Sequence, residues 1–270
     1  MRSWFLFAVG LATLAINKIR YAAHGYIQPK PFSSADAPRA VAYGVSVVDK
    51  WETALREYLK TDTPFAGQRI LELGPGSDMS VGAILLDRGA ASYLAFDRNP
   101  LMTSPDDAFV AELSKHTQFA PKIDEVRFKH DSTFNVATLS ANGPFTLVVS
   151  QAAFEHFDDP QSVIKHLPTT TNDSRSAVLC AEIDLKTHSR PIVDWDPNNI
   201  YRFPEWLYRM LYYVGIPNRV RPEQYVAFLR EAGWTDIQVK PLRTVPSEGQ
   251  PQFGSYDLHV LECLILARRP

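Results

Sequence analysis

The stretch RILELGPGSDMSVGAILLDRGA, residues 69–90, decides the fold. An alternating apolar run ends in a glycine-rich turn, and an amphipathic segment follows. Alternation places side chains on the two faces of a strand, whereas Val81, Ile84 and Leu85 recur at helical spacing. Ser77 or Asp78 is the predicted N-cap of that helix. Glycines at Gly74 and Gly76 let the backbone take positive φ and approach a ligand closely, so the turn predicts a nucleotide-like ligand.

Outward from this unit the alternation continues. SYLAFD (92–97) and EVRFKHD (125–131) read as strands, and FTLVVS (145–150) is apolar enough to be buried on both faces. SAVLCAEIDL (176–185) is a fifth strand. RPEQYVAFLREAGW is a helix with Pro222 in its first turn and Gly233 at its stop, and two strands then close the chain. Upstream, Val48, Trp51, Leu55 and Leu59 share one helical face. The order implies an open α/β sheet with an antiparallel strand at one end.

Residues 1–38 read as an apolar, basic helix followed by a proline-containing linker, and 39–270 as one domain with an insertion at 186–220. The uncharged N-terminal run, residues 4–16, is short of the roughly 20 residues of a membrane span. No acid precedes Asp36, whereas Lys18 and Arg20 flank the run, which suits a helix at anionic headgroups or one packed on the domain, and third an export signal, for which no clear small-x-small cleavage site follows. A formal net charge of −2 gives no reason to expect a nucleic-acid partner. Cys180 and Cys263 lie in apolar strands and read as buried thiols of a cytoplasmic protein, stationed in one reading at the inner face of a membrane.

Ligands of open sheets bind beyond the carboxyl ends of the strands. Glu72, Asp97 and Asp131 end three successive strands there, beside Gly74-Pro75-Gly76. A carboxylate at Asp97 can accept hydrogen bonds from both hydroxyls of a ribose. The nicotinamide fingerprint needs a third glycine where Met79 stands, and no Gly-Lys-Ser/Thr follows the turn. A ligand with adenosine and no pyrophosphate fits better.

LELGPG, AFDRNP and FTLVVSQAAFEHFDDP together resemble the successive motifs of class I S-adenosylmethionine-dependent methyltransferases, over roughly residues 66–185. The resemblance implies a Rossmann-like, mostly parallel seven-stranded sheet of order 3-2-1-4-5-7-6, the seventh strand antiparallel, with helices on both faces. It implies S-adenosylmethionine as cofactor. Glu72, Gly74, Pro75 and Gly76 would surround its methionine part and Asp97 its ribose, with Arg98 beside the adenine. Asp131 and Ser132 would contact the adenine edge, and Ser150 and Gln151 would lie under the sulfonium. Asp78 stands where the family often has a further glycine.

Glu155-His156 matches the EH pair of many small-molecule members, with His156 a candidate base for a substrate hydroxyl. Asp184 and His188, in IDLKTH, resemble a pattern of bacterial glycan methyltransferases and are read as placing the acceptor. Two candidate ligands are too few for a metal, so none is expected. The insertion carries seven aromatics in 35 residues: Trp195, Tyr201, Phe203, Trp206, Tyr208, Tyr212 and Tyr213, some expected to wall the acceptor site. The expected activity is methyl transfer to a small-molecule or glycan oxygen. The alternative is a non-catalytic module that binds the cofactor or a partner, which has little need of every acid and glycine.

Overall fold

The computed structural model describes residues 2–25, 36–77, 79–102, 104–171 and 176–269. Most of the expected linker and Asp78 lie outside them. Two long helices, α1 (Arg2–His24) and α2 (Ala37–Leu59), precede the sheet. The domain then runs β1 (Arg69–Leu73), α3 (Ser80–Asp87), β2 (Ser92–Asp97), α4 (Asp107–Leu113), β3 (Val126–His130) and β4 (Leu147–Gln151). It continues with α5 (Pro160–His166), β5 (Ala177–Asp184), α6 (Glu205–Met210), α7 (Pro222–Glu231), β6 (Thr235–Thr244) and β7 (Val260–Arg269).

The seven strands pair in the order β3-β2-β1-β4-β5-β7-β6, with β7 antiparallel to both neighbours and the other pairs parallel, as expected. Alternation along each strand builds two cores. Ile70, Tyr93, Ala95 and Val149 face α2, α3 and α4, while Leu71, Leu94, Phe96 and Val148 face α5 and α7. Trp51 of α2 is fully buried on the first face. Cys180 and Cys263 are buried free thiols, one in each core.

Two boundaries differ from expectation. Helix α2 begins at Ala37, with Pro38 in its first turn where the missing N–H costs nothing, so its stripe gains Ala40, Val41 and Gly44. Helix α3 is capped at Met79, without a side-chain hydrogen bond, rather than at Ser77.

A third apolar cluster lies outside the sheet. Leu14 of α1 packs with Ile200, Tyr201, Phe203, Leu207 and Tyr208 of the insertion. The two also share polar contacts: Asn199 Nδ2 donates to the Leu6 carbonyl (2.9 Å), and Lys18 Nζ reaches the Met210 carbonyl. Gly10 makes the approach possible, since a Cβ there would stand 1.8 Å from Asn199 Oδ1. The expectation that the insertion's aromatics wall the acceptor site is therefore corrected for Tyr201, Phe203 and Tyr208. They are the seat of α1, and Trp195 and Trp206 are solvent-exposed.

Candidate active site

A cavity of about 1480 Å³ opens at the carboxyl ends of β1, β2 and β4, where the strand order switches direction. Its floor is Glu72 and the turn Gly74-Pro75-Gly76. Asp97 ends β2 and Arg98 and Asn99 follow it, while Gln151 ends β4 and Ala152 and His156 follow it. His188, Arg190 and Pro191 come from beyond β5, and Tyr213 to Gly215 from the insertion. Helix α1 supplies a further wall through Thr13, Ile16, Asn17, Arg20 and Tyr21.

The turn is built for glycine. Gly74 has φ +71° and Gly76 +81°, in the left-handed region. A Cβ on Gly74 would meet the Ala153 Cβ at 2.4 Å, on the segment leaving β4. Gly74→Ala should therefore lower stability by about 1–3 kcal/mol and weaken cofactor binding together. Thermal unfolding with and without S-adenosylhomocysteine checks this; an unchanged ligand-induced shift would separate the turn from the cofactor. Ala152, a non-glycine at φ +47°, stores strain at the same rim.

Asp97 is 8% exposed and accepts a hydrogen bond from the Asn99 amide at 2.8 Å. Burial pushes its carboxyl up to about 6, against the opposing effect of the Asn99 and Arg98 amides and of His130. Ribose hydroxyls are the kind of donor that would favour its charged form. Glu72 is buried and takes the Tyr93 hydroxyl. Gln151 lines the cavity with a buried Oε1 that has no partner.

The other predicted contacts are distributed differently. Arg98 lines the cavity but is engaged, donating to the Ser132 carbonyl at 2.9 Å and pairing with Asp158 at 2.5 Å. Tyr212 holds the other Asp158 oxygen, so β2, the loop after β4 and the insertion are clasped at the rim. Asp131 is turned into its own loop, where the Thr133 amide (2.7 Å) and hydroxyl (2.5 Å) donate to Oδ1. Among the described residues the cavity wall there is Thr133, Phe134 and Asn135 rather than Asp131 and Ser132. Ser150 is fully buried and donates to the Leu73 carbonyl at 2.8 Å, tying β4 to the end of β1 behind the wall.

The two histidines do meet. Their ring centroids are 4.7 Å apart, edge to face. His156 Nδ1 lies 2.7 Å from the Gly215 carbonyl, which can only accept, so Nδ1 carries the proton and Nε2 the lone pair. Burial, and then the neighbouring His188, push the His156 pKa down to about 4, which keeps the ring neutral at physiological pH. Asp184 stands behind His188, with Oδ2 3.6 Å from Nε2, and its Oδ1 takes the Lys186 amide at 2.9 Å. Burial would raise the Asp184 carboxyl, but His188 and Lys186 hold it below its usual range.

Glycines with positive φ, a buried carboxylate after β2, an unpartnered Gln151 oxygen and a cavity large enough for a nucleoside with an acceptor define a cofactor site. They fit S-adenosylmethionine, and the class is that of Rossmann-like methyltransferases. The chain belongs to the methyltransferase-domain family, whose model matches residues 48–239, and its cofactor is S-adenosylmethionine.

Solved structures to which the chain is similar include an S-adenosylmethionine-dependent methyltransferase from Mesorhizobium loti, with 13% identity, 76% and 92% of the two chains covered and a TM-score of 0.44. Magnesium protoporphyrin IX methyltransferase from Synechocystis, with bound SAH, has 15% identity, 94% of each chain covered and a TM-score of 0.46. The CurJ carbon methyltransferase has 15% identity and a TM-score of 0.43 over 76% of this chain. The chain spans about half of that protein, 49%. None of the curated proteins matches the chain.

Proposed function

We propose that the protein is an enzyme that transfers the methyl group of S-adenosylmethionine to an oxygen of a small-molecule or glycan acceptor. The observation that carries the reading is the fixed lone pair on His156 Nε2, on a residue that lines the cavity shared with the glycine turn. Bound S-adenosylmethionine supplies an electrophilic methyl group on a positively charged sulfur. Glu72, the glycine turn and Asp97 hold the cofactor, while the clasp of Arg98, Asp158 and Tyr212 ties the rim together. His156 Nε2 accepts the hydrogen bond of the acceptor hydroxyl. It takes the proton once the oxygen has become acidic by alkylation, a late transfer for which a weak base suffices. His188, backed by Asp184, places the acceptor.

The test is a panel of phenolic, glycan and lipid acceptors with methyl-labelled cofactor. Label recovered as an ether or ester supports the reading; label on nitrogen or carbon overturns the oxygen assignment. A binding module would take up S-adenosylhomocysteine and turn over nothing.

Helix α1 favours an acceptor met at a membrane surface of the cytoplasmic side. Its segment Trp4–His24 has 21 residues, with a mean hydropathy of 1.3 in an 18-residue window, long and apolar enough to cross a bilayer by length and composition. One face, however, is docked on the insertion through Leu6 and Leu14, while Trp4, Phe5, Ile16 and Ile19 are exposed. An amphipathic helix docked on one side and apolar on the other suits the interface plane. Arg20 is near the cavity, so the anchoring helix also borders the acceptor's path. The intact chain should sediment with anionic vesicles, and a Trp4→Ser, Phe5→Ser, Ile19→Ser variant should bind them at least about tenfold more weakly. Equal sedimentation of the two would leave α1 as a packed helix only.

A further inference from the structure

Glu155 is the side chain that the proposed chemistry leaves unexplained. It lies in the short helix Phe154–His156 after β4, is 2% exposed, and neither carboxylate oxygen has a hydrogen-bond partner. Burial pushes its carboxyl well above the usual carboxylate range, and repulsion from Asp184 and Glu182 adds to this, against the opposing pull of the backbone amides of Glu155 and Asp184, which approach it without reaching full hydrogen-bond geometry. Whether charged or neutral, the group leaves buried polar atoms unpaired, an expensive arrangement unless something else occupies the space beside it.

What lies beside it is a pair of imidazoles. One ligating atom from each of Glu155, His156 and His188 falls within 4.8 Å of the others. His156 offers the Nε2 lone pair, because Nδ1 is spent on the Gly215 carbonyl. His188 has Asp184 near Nε2 at 3.6 Å, which leaves Nδ1 to ligate and repeats the carboxylate–histidine–metal arrangement of many metal sites. Ligands around a tetrahedral cation at about 2.1 Å stand roughly 3.4 Å apart, so a modest rotation of the exposed His188 closes the set. The sequence offered only Asp184 and His188 as a pair; the fold adds Glu155 and His156 from the neighbouring strand end.

We propose that Glu155, His156 and His188 bind one divalent first-row transition-metal cation, with Asp184 orienting His188 from behind. Two imidazoles and one carboxylate suit zinc, cobalt, iron or manganese rather than calcium or magnesium, which take oxygen ligands. His156 and His188 line the cavity whereas Glu155 is buried behind it, so the open positions of the cation face the acceptor. That use of the site rests on the proposed methyl transfer to oxygen, since an acceptor oxygen would take an open position, and with a cation bound His156 Nε2 is a ligand rather than the proton acceptor; the binding of the cation rests on neither.

The probe is cobalt(II), titrated into the metal-stripped full chain and followed by its visible absorption, with zinc competition for affinity. One cation per chain is expected, together with a loss of at least tenfold in affinity in Glu155→Gln and in His188→Ala. His188→Ala alters an exposed side chain, so it keeps the test readable if Glu155→Gln fails to fold. Asp184→Asn should weaken binding less and leave the absorption band unchanged in shape. No cobalt band, or equal affinity in wild type and His188→Ala, overturns the site. Failure of the methyl-transfer reading shows separately, as a metal-loaded protein that binds S-adenosylhomocysteine and methylates no oxygen.

Discussion

Asp97→Ala should bind S-adenosylhomocysteine more weakly by about 1.5–3 kcal/mol, some 10- to 150-fold, because hydrogen bonds to a charged carboxylate are lost. The effect should depend on pH in a defined direction. Burial raises the Asp97 carboxyl to about 6 in the free protein, whereas ribose donors favour its ionised form. Below pH 6 the ligand must first displace a proton, so wild-type affinity should fall by about tenfold between pH 7.5 and pH 5. The alanine variant should lose that slope.

The folding linkage has the opposite sense. A carboxyl with a raised folded-state pKa contributes stability below its unfolded value of 3.8, and that stability is lost as pH rises through about 6. At neutral pH the free variant should then be more stable than wild type by on the order of 2–3 kcal/mol, so function and stability trade against each other here. Calorimetry at the two pH values and thermal unfolding at pH 7.5 measure both. Unchanged affinity in Asp97→Ala would remove the ribose assignment.

The strand alternation and the glycine turn were legible because both follow from local rules. Period-2 burial assigns Ile70 and Leu71 to opposite cores, and positive φ at Gly74 and Gly76 needs residues without a Cβ. Asp131 shows where local rules mislead. It ends its strand like Asp97, but Thr133 two residues on offers both an amide and a hydroxyl, and a carboxylate takes the nearest donors. Ser150 likewise reads as a contact and is consumed by a strand-to-strand bond. Tyr201, Phe203 and Tyr208 read as acceptor-site walls in a linear reading only because nothing linear shows that α1 needs a seat, whereas Tyr213 does line the cavity.

The wall contributed by α1 did leave a signal. Thr13, Ile16, Asn17, Arg20 and Tyr21 recur at helical spacing, a largely polar stripe on a helix otherwise read for its apolar run. Two stripes on one helix mean two neighbours: the insertion takes Leu6, Gly10 and Leu14, and the cavity takes the polar row. Glu155 was invisible for a different reason. In sequence it is half of an EH pair, and only the fold shows that its carboxyl is sealed from water behind two imidazoles.

Those imidazoles carry the larger functional effect. His156→Ala should reduce turnover by about 10²–10⁴-fold while leaving S-adenosylhomocysteine affinity nearly intact. The Gly215 carbonyl fixes the tautomer and so presents Nε2 as the acceptor. With a pKa near 4 the ring stays neutral, so its lone pair is available without a competing proton. Its weakness as a base means that the acceptor oxygen must acidify by alkylation before the proton moves to Nε2; with a cation bound, Nε2 is a ligand and His156 would act by holding the metal instead. A chelator separates the two routes: if the cation holds the acceptor, stripping metal from wild type should reproduce the His156→Ala loss, and restoring it should rescue wild type only. If His156 acts alone, chelation should change nothing while the alanine variant still fails. A more acidic phenolic acceptor should recover part of the lost rate in His156→Ala, since it has less need of a proton acceptor. Wild-type turnover in a His156→Ala, His188→Ala double variant would show that the lone pairs have no part in the chemistry, and that positioning by the cavity suffices.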